Sequence, residues 1–225
     1  MATSYNLKLV TDGLVYYLDA ANARSYAGTG LTATDLRNSL LGSLVNGVGF
    51  GTANNGQFIF DGTNDYIVIN DNALLNNFSN MTLEVIVKYT STSNQLFVQK
   101  WNYASGSQGY TLEIFSSSIV GACYNSGSNY LSATLSNYPA NNIYHISLTL
   151  NGSTQTMYIN GNSVASNSFG SVPSLSGTNF TIGQRSNLTG TYLGGNVYQV
   201  KFYNRALSAS EISQNYNATE GRYGL

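Results

Sequence analysis

An all-β fold of two packed antiparallel sheets is what this chain of 225 residues predicts, and three observations predict it. Apolar residues recur with period two over many short runs. The runs are separated by clusters of Gly, Asn and Ser. No helical periodicity lies between consecutive runs, as a βαβ layout would require. With 42 % hydrophobic residues the chain can bury a sizeable core, and no internal repeat or Pro/Gly/Ser linker divides it, so a single domain over residues 1–225 is expected.

Taken in order, "GLVYYLDA", "QFIFDG" and "YIVI" read as short strands closed by turn residues. In "MTLEVIVKY", Leu83, Val85, Val87 and Tyr89 share one face while Thr82, Glu84 and Lys88 share the other, broken only by Ile86. "QLFVQK" and "YTLEIF" follow, the latter just before the lone cysteine, Cys123. One cysteine excludes an internal disulfide and a multi-cysteine zinc site, and it reads as a small half-buried strand residue. "NIYHISLTLNGSTQTMYINGN" predicts a hairpin turning at "NGS", with Tyr144, Ile146, Leu148 and Leu150 on one face and Met157 and Ile159 beyond the turn. A second tight turn is expected at Asn160-Gly161. "NFTIG" and "NVYQVKFYN" complete the strands. The one helix is predicted in "LSASEISQNYNAT", where Ser208 as N-cap and Glu211 three residues on form a capping box, with Ile212 and Tyr216 on one face.

Charge narrows the partners. Only 8 % of residues are charged and the net charge is -1, so nine scattered Lys+Arg offer no basic patch for phosphate and nucleic acid is not expected. No apolar run approaches the roughly 20 residues that span a bilayer, and "MATSYNLKLV" has neither the basic nor the apolar region of a signal peptide. The expectation is a chain made in the cytoplasm that does not insert into membranes.

Together, "GLVYYLDAANARSY", "FDGTNDYIVI", "MTLEVIVKY", "IYHISLTLNGSTQTMYINGN" and "VKFYNRALSASEI" resemble the laminin-G-like jelly rolls of the concanavalin A-like lectin/glucanase superfamily. The closing "FYNRALSASEISQNYNATEGRYG" is similar to stand-alone members on phage and bacterial surfaces. The resemblance implies a jelly-roll sandwich of some twelve to fourteen strands with a short C-terminal helix. Its phage-like side implies a non-enzymatic structural protein at the virion surface, made in the host cytoplasm and contacting copies of itself and other virion proteins. The alternative function is a carbohydrate-binding adhesion module for cell-surface glycans.

Three groups of residues could carry chemistry. Asp61 and Asp65 in "FDGTNDY" read first as a turn whose carboxylates accept backbone amides. In calcium-binding relatives a second acidic segment lies just before the "YNRALS" turn. Here Tyr198 and Gln199 stand there, so calcium at Asp61 and Asp65 is disfavoured and no cofactor is expected. No Glu-x-Asp-x-x-Glu motif occurs, and Glu84 and Glu113 read as single solvated strand carboxylates, so no catalytic residue is assigned. His145 reads as a packing or hydrogen-bonding residue at the sheet surface. Eighteen Tyr, nine Phe and one Trp leave "QKWNYASGSQGY" as the candidate ligand patch, with Trp101, Tyr103 and Tyr110 offering ring faces to sugars, the equal alternative being that Trp101 packs as an anchor at the base of the loop.

Overall fold

The computed structural model describes residues 8–76, 79–102, 108–125, 131–168, 175, 177–185 and 191–225. In chain order the strands are β1 (Leu14–Asp19), β2 (Thr32–Thr34), β3 (Leu41–Val45), β4 (Gly49–Gly51), β5 (Gln57–Asp61), β6 (Tyr66–Ile69), β7 (Asn80–Tyr89) and β8 (Gln95–Asn102). They continue with β9 (Gln108–Phe115), β10 (Ser118–Asn125), β11 (Leu131–Thr134), β12 (Ile143–Asn151), β13 (Thr154–Ile159), β14 (Asn162–Ser168), β15 (Phe180–Ile182) and β16 (Gly194–Tyr203), and helix α1 spans Ala209–Tyr223.

Two antiparallel sheets of eight strands each form a jelly-roll sandwich. The first runs β14-β13-β12-β7-β16-β5-β4, with β1 also paired to β16, and the second runs β11-β10-β9-β8-β15-β6-β3-β2. Every run singled out by alternation is a strand, and the hairpin at "NGS" is β12-β13, where Asn151 pairs with Thr154. The sixteen strands among the described residues exceed the expected twelve to fourteen because β2, β3, β4 and β11 hold three to five residues each, too few to show a period.

The core lies between the sheets. Leu83, Val85, Val87 and Tyr89 of β7, with Phe202 beside Leu83 on β16, share one cluster with Phe97, Leu112 and Phe180 of the second sheet, all fully buried. Each such side chain contributes about 1.5–3 kcal/mol. Cys123 belongs to this core and is buried rather than half-buried, and burial pushes its thiol up to about 12.

Helix α1 covers the other face of the first sheet, which alternation alone would assign to solvent. Ser208 caps it, accepting from the Glu211 amide, while Glu211 accepts from the Ser208 amide, and Gly224 ends it in the left-handed conformation. Its buried residues are Ile212, Asn215, Thr219 and Tyr223, so Tyr216, expected beside Ile212, is only half-buried. The face it meets is polar, and therefore the helix buries polar side chains. A bulge between Val197 and Gln199 of β16 turns Tyr198 and Gln199 together toward the helix. Tyr198 joins Ile86 and Tyr223 in a small apolar cluster, which accounts for the one break in the β7 alternation.

Candidate functional site

The β5-β6 turn lies at one end of the sandwich, where strands of the two sheets hand over. Asp61 Oδ1 accepts from the amides of Thr63 at 2.7 Å and Asn64 at 3.3 Å, and Asp65 Oδ2 accepts from the Asp61 amide at 3.1 Å. These bonds hold Asp61 below the usual carboxylate range, chiefly through Thr63, whereas burial raises Asp65. The turn reading of this stretch is thus realised. Asp65 Oδ1 is buried without a partner, yet among the described residues no group of three or more His, Cys, Asp or Glu is placed to hold a metal ion. Two carboxylates, one tied into its own turn, do not make the six to eight oxygens that calcium takes. The β16 residue opposite Asp61 is Gly194. Tyr198 and Gln199, taken from sequence as the missing second segment, lie under α1 instead, with Gln199 Nε2 donating to Asp19 at 3.1 Å.

Beside this turn is an open hollow of about 290 Å³. It is lined by Asp61, by Thr90, Ser91, Ser93 and Asn94 of the β7-β8 turn, and by Tyr192 just before β16. Its walls are anchored from below: Gln95 Oε1 accepts from the Gly194 amide at 2.8 Å and Thr90 Oγ1 donates to the Gly194 carbonyl at 2.8 Å. Tyr192 is held by Gln184, whose Nε2 donates to its hydroxyl at 3.2 Å. A carboxylate, three hydroxyls, an amide and a half-buried phenol ring therefore converge in one concave place. In the sequence Asp61 stands out only as a turn residue and disfavoured calcium ligand, and the signal for the rest of the hollow is the unbroken hydroxyl and amide run "TSTSN" at 90–94.

The expected aromatic patch is placed differently. Trp101 is 6 % exposed and stacks on Tyr124 with ring centroids 5.2 Å apart. Tyr110 is 3 % exposed, packs in the core and donates its hydroxyl to the Leu75 carbonyl at 3.2 Å. Tyr103 lies outside the described residues. Trp101 and Tyr110 lie on the paired strands β8 and β9 but on opposite faces of the second sheet: Trp101 pairs with Gly109 and Lys100 with Tyr110, so the period-two alternation itself separates them.

Neither lone glutamate is solvated. Glu84 is fully buried beneath α1, with Lys201 Nζ at 3.3 Å, His145 Nε2 at 3.5 Å and Asn215 Nδ2 at 3.1 Å. Burial raises its pKa, but Lys201 and His145 outweigh that and bring it to about 2. His145 is itself fully buried, near Ser147 and roughly stacked on Tyr216, so its hydrogen-bonding role is at a helix-sheet interface. Glu113 is 2 % exposed and 2.6 Å from Arg185 Nη2. Burial raises its pKa and Arg185 opposes the rise. A strand position facing away from the core was read as open to water; α1 covers one such face, and Arg185 reaches over the other.

Among solved structures the chain is similar to the binding domain of Paraclostridial mosquitocidal protein 1, at 18 % identity and a TM-score of 0.71 over 92 % of this chain and 52 % of that one. It is similar to Trypanosoma rangeli sialidase in complex with sialic acid, at 18 % identity and a TM-score of 0.72 over 95 % of this chain and 34 % of the sialidase. The botulinum neurotoxin serotype D ligand-binding domain in complex with N-acetylneuraminic acid gives 16 % identity and a TM-score of 0.71 over 91 % and 50 %. The chain thus spans about half of the toxin domains and a third of the sialidase, and at these identities the likeness is one of fold. A search of curated proteins gave no match. A family model described as concanavalin A-like lectin/glucanases superfamily, of the laminin G type, matches residues 61–213, from the Asp61 turn into α1. With its two-sheet jelly roll, its closing helix and more than half of its length matched, the chain belongs to the concanavalin A-like lectin/glucanase superfamily.

Proposed function

We propose that this domain is a carbohydrate-binding module and that the hollow beside the Asp61 turn is its binding site. One observation carries the reading: Asp61, Thr90, Ser91, Ser93, Asn94 and Tyr192 bring a carboxylate, hydroxyls, an amide and an aromatic ring into one depression of about 290 Å³. Sugars offer hydroxyl edges and apolar ring faces, and such sites use a few placed polar groups with an aromatic wall. Two structural neighbours are described with sialic acid or N-acetylneuraminic acid bound, and this proposal extends sugar recognition to the present chain. Binding rather than cleavage is favoured because Asp61 is the one carboxylate lining the hollow among the described residues, whereas glycoside hydrolysis typically uses two. Glu84 and Glu113 are each paired with a cation, Lys201 and Arg185. A glycan array probed with wild type, Tyr192→Ala and Asp61→Asn tests the reading. Wild type is expected to bind a defined glycan subset and both folded variants to lose most of the signal; binding that survives both substitutions would overturn it.

A structural role in a larger assembly, in its most specific form a virion decoration, is the second reading, and strand β14 favours it. This edge strand reads "NSVASNS", without a charged residue, so little opposes pairing with another chain. Trp101 and Tyr110 are buried and do not supply the aromatic contacts. Light scattering from low salt to about 1 M, where exposed charges are screened within about 3 Å, checks it. Salt-resistant assembly supports the reading, and a monomer that binds no particle contradicts it.

A further inference from the structure

Cations that are not fully exposed almost all face a carboxylate here: Lys100 pairs with Asp71, Lys201 with Glu84, Arg185 with Glu113, Arg205 with Glu211 and Arg222 with Asp19. Lys88 is the exception among the described residues. It is half-buried on the α1 side of β7, in the outward row Thr82, Glu84, Ile86, Lys88, of which Thr82 meets Arg205 and Leu207 and the next two meet α1 at Asn215 and Tyr223. Around it is an open hollow of about 350 Å³ lined by the carboxamides of Asn54, Gln57, Asn141, Asn142 and Asn196. Tyr198 and Tyr223, with ring centroids 5.1 Å apart, form one wall. Among the described residues no carboxylate side chain lines it. The carbonyl end of α1 at Gly224 carries partial negative charge, smaller than the full charge of the ammonium.

An ammonium surrounded by carboxamides suits a ligand with one carboxylate and many hydroxyls. The ammonium makes charge-assisted bonds to the former, and amides donate to and accept from the latter. This hollow also adjoins the first. Thr90 lines the one by the Asp61 turn and Lys88, two residues back along β7, lines the other; Gly194 and Asn196 stand in the same relation on β16. Two residues along a strand is about 7 Å, within the span of neighbouring sugar residues. Between them Gly195 has φ +153, and a Cβ there would lie 2.0 Å from the Lys88 carbonyl oxygen, so only glycine lets β16 run this close to β7.

We infer that the Lys88 hollow is an acidic-sugar subsite and that the preferred ligand is an oligosaccharide carrying a carboxylate-bearing residue beside a neutral one. This rests on the glycan-binding reading for the neighbouring subsite, and the experiment separates the two. Calorimetry with 3′-sialyllactose and with lactose gives an affinity ratio for each form of the full chain. The expected ratio is about tenfold or more in wild type at low salt, about one in Lys88→Gln, and largely restored in Lys88→Arg. A wild-type ratio near one, or a ratio that persists in Lys88→Gln, overturns the inference. Nuclear magnetic resonance with free N-acetylneuraminic acid is the second readout. Shifts of the Asn142 and Asn196 side-chain amides that vanish in Lys88→Gln support the subsite even where lactose does not bind, a result that would sink only the reading of the first hollow. Unmoved amides together with lactose binding would sink only the acidic subsite.

Discussion

At Glu84 a carboxylate without solvent contact is bonded or paired to Lys201, His145, Asn215 and Ser147, residues from β16, β12 and α1. Removing one partner leaves charge in the interior without compensation, which costs roughly 3–5 kcal/mol. Lys201→Met should therefore lower stability by about that much in denaturant unfolding, far more than a surface lysine would. The acid response has a definite sign. Glu84 falls from the ordinary 4.5 to about 2 on folding, so its contribution is complete above about pH 4.5 and is lost as pH falls toward 2. Asp71, where Lys100 outweighs burial, and Glu211, held by Arg205, also stand at about 2. Glu84→Gln is thus expected to flatten the pH dependence of the melting temperature between pH 5 and 2 in part; an unchanged slope would contradict the buried pairing. The residue type and strand position of Glu84 were plain from sequence, but its partners lie 61 to 131 residues away along the chain, and nothing local announces them.

Helix α1 shows what local signals can and cannot reach. Its start was legible because a capping box is a four-residue pattern, and Ser208→Ala should cost about 1 kcal/mol. Its docked face was not, because an apolar i, i+4 pair was the signal sought. The face that docks instead uses Asn215, whose side chain bonds Glu84, the Tyr203 hydroxyl and the Val10 amide, and Arg222, whose two terminal nitrogens reach Asp19 at 3.1 and 2.9 Å. Deleting residues 209–225 should destabilise the protein well beyond the Ser208→Ala loss, since it strips cover from Glu84 and from the Ile86 cluster. Equal melting temperatures for the truncated and full chains would mean that the helix does not hold the sheet. The turns were legible for the same local reason as the capping box: Asn160 and Gly161 have φ of +50 and +77, the backbone that Asn-Gly favours.

Across the whole molecule, one continuous core joins both sheets, from Tyr16, Phe58 and Ile146 in the first to Leu112 and Phe180 in the second. Unfolding by heat or urea is accordingly expected as one cooperative transition, coincident by far-ultraviolet circular dichroism and tyrosine fluorescence; two separated transitions would contradict a single domain. The architecture was legible because alternation repeats over ten or so strands, while the hollow proposed as the site was not, because it is assembled from turns that are distant in sequence and from residues such as Tyr192 that carry no pattern of their own. The claim that these turns form a sugar site meets its most direct test in amide chemical-shift mapping of the full chain with an array-selected glycan. The account predicts that the largest shifts fall on residues 61–64, 90–95 and 192–194. Shifts confined to Trp101 and Tyr124, or to the β14 edge, would contradict it.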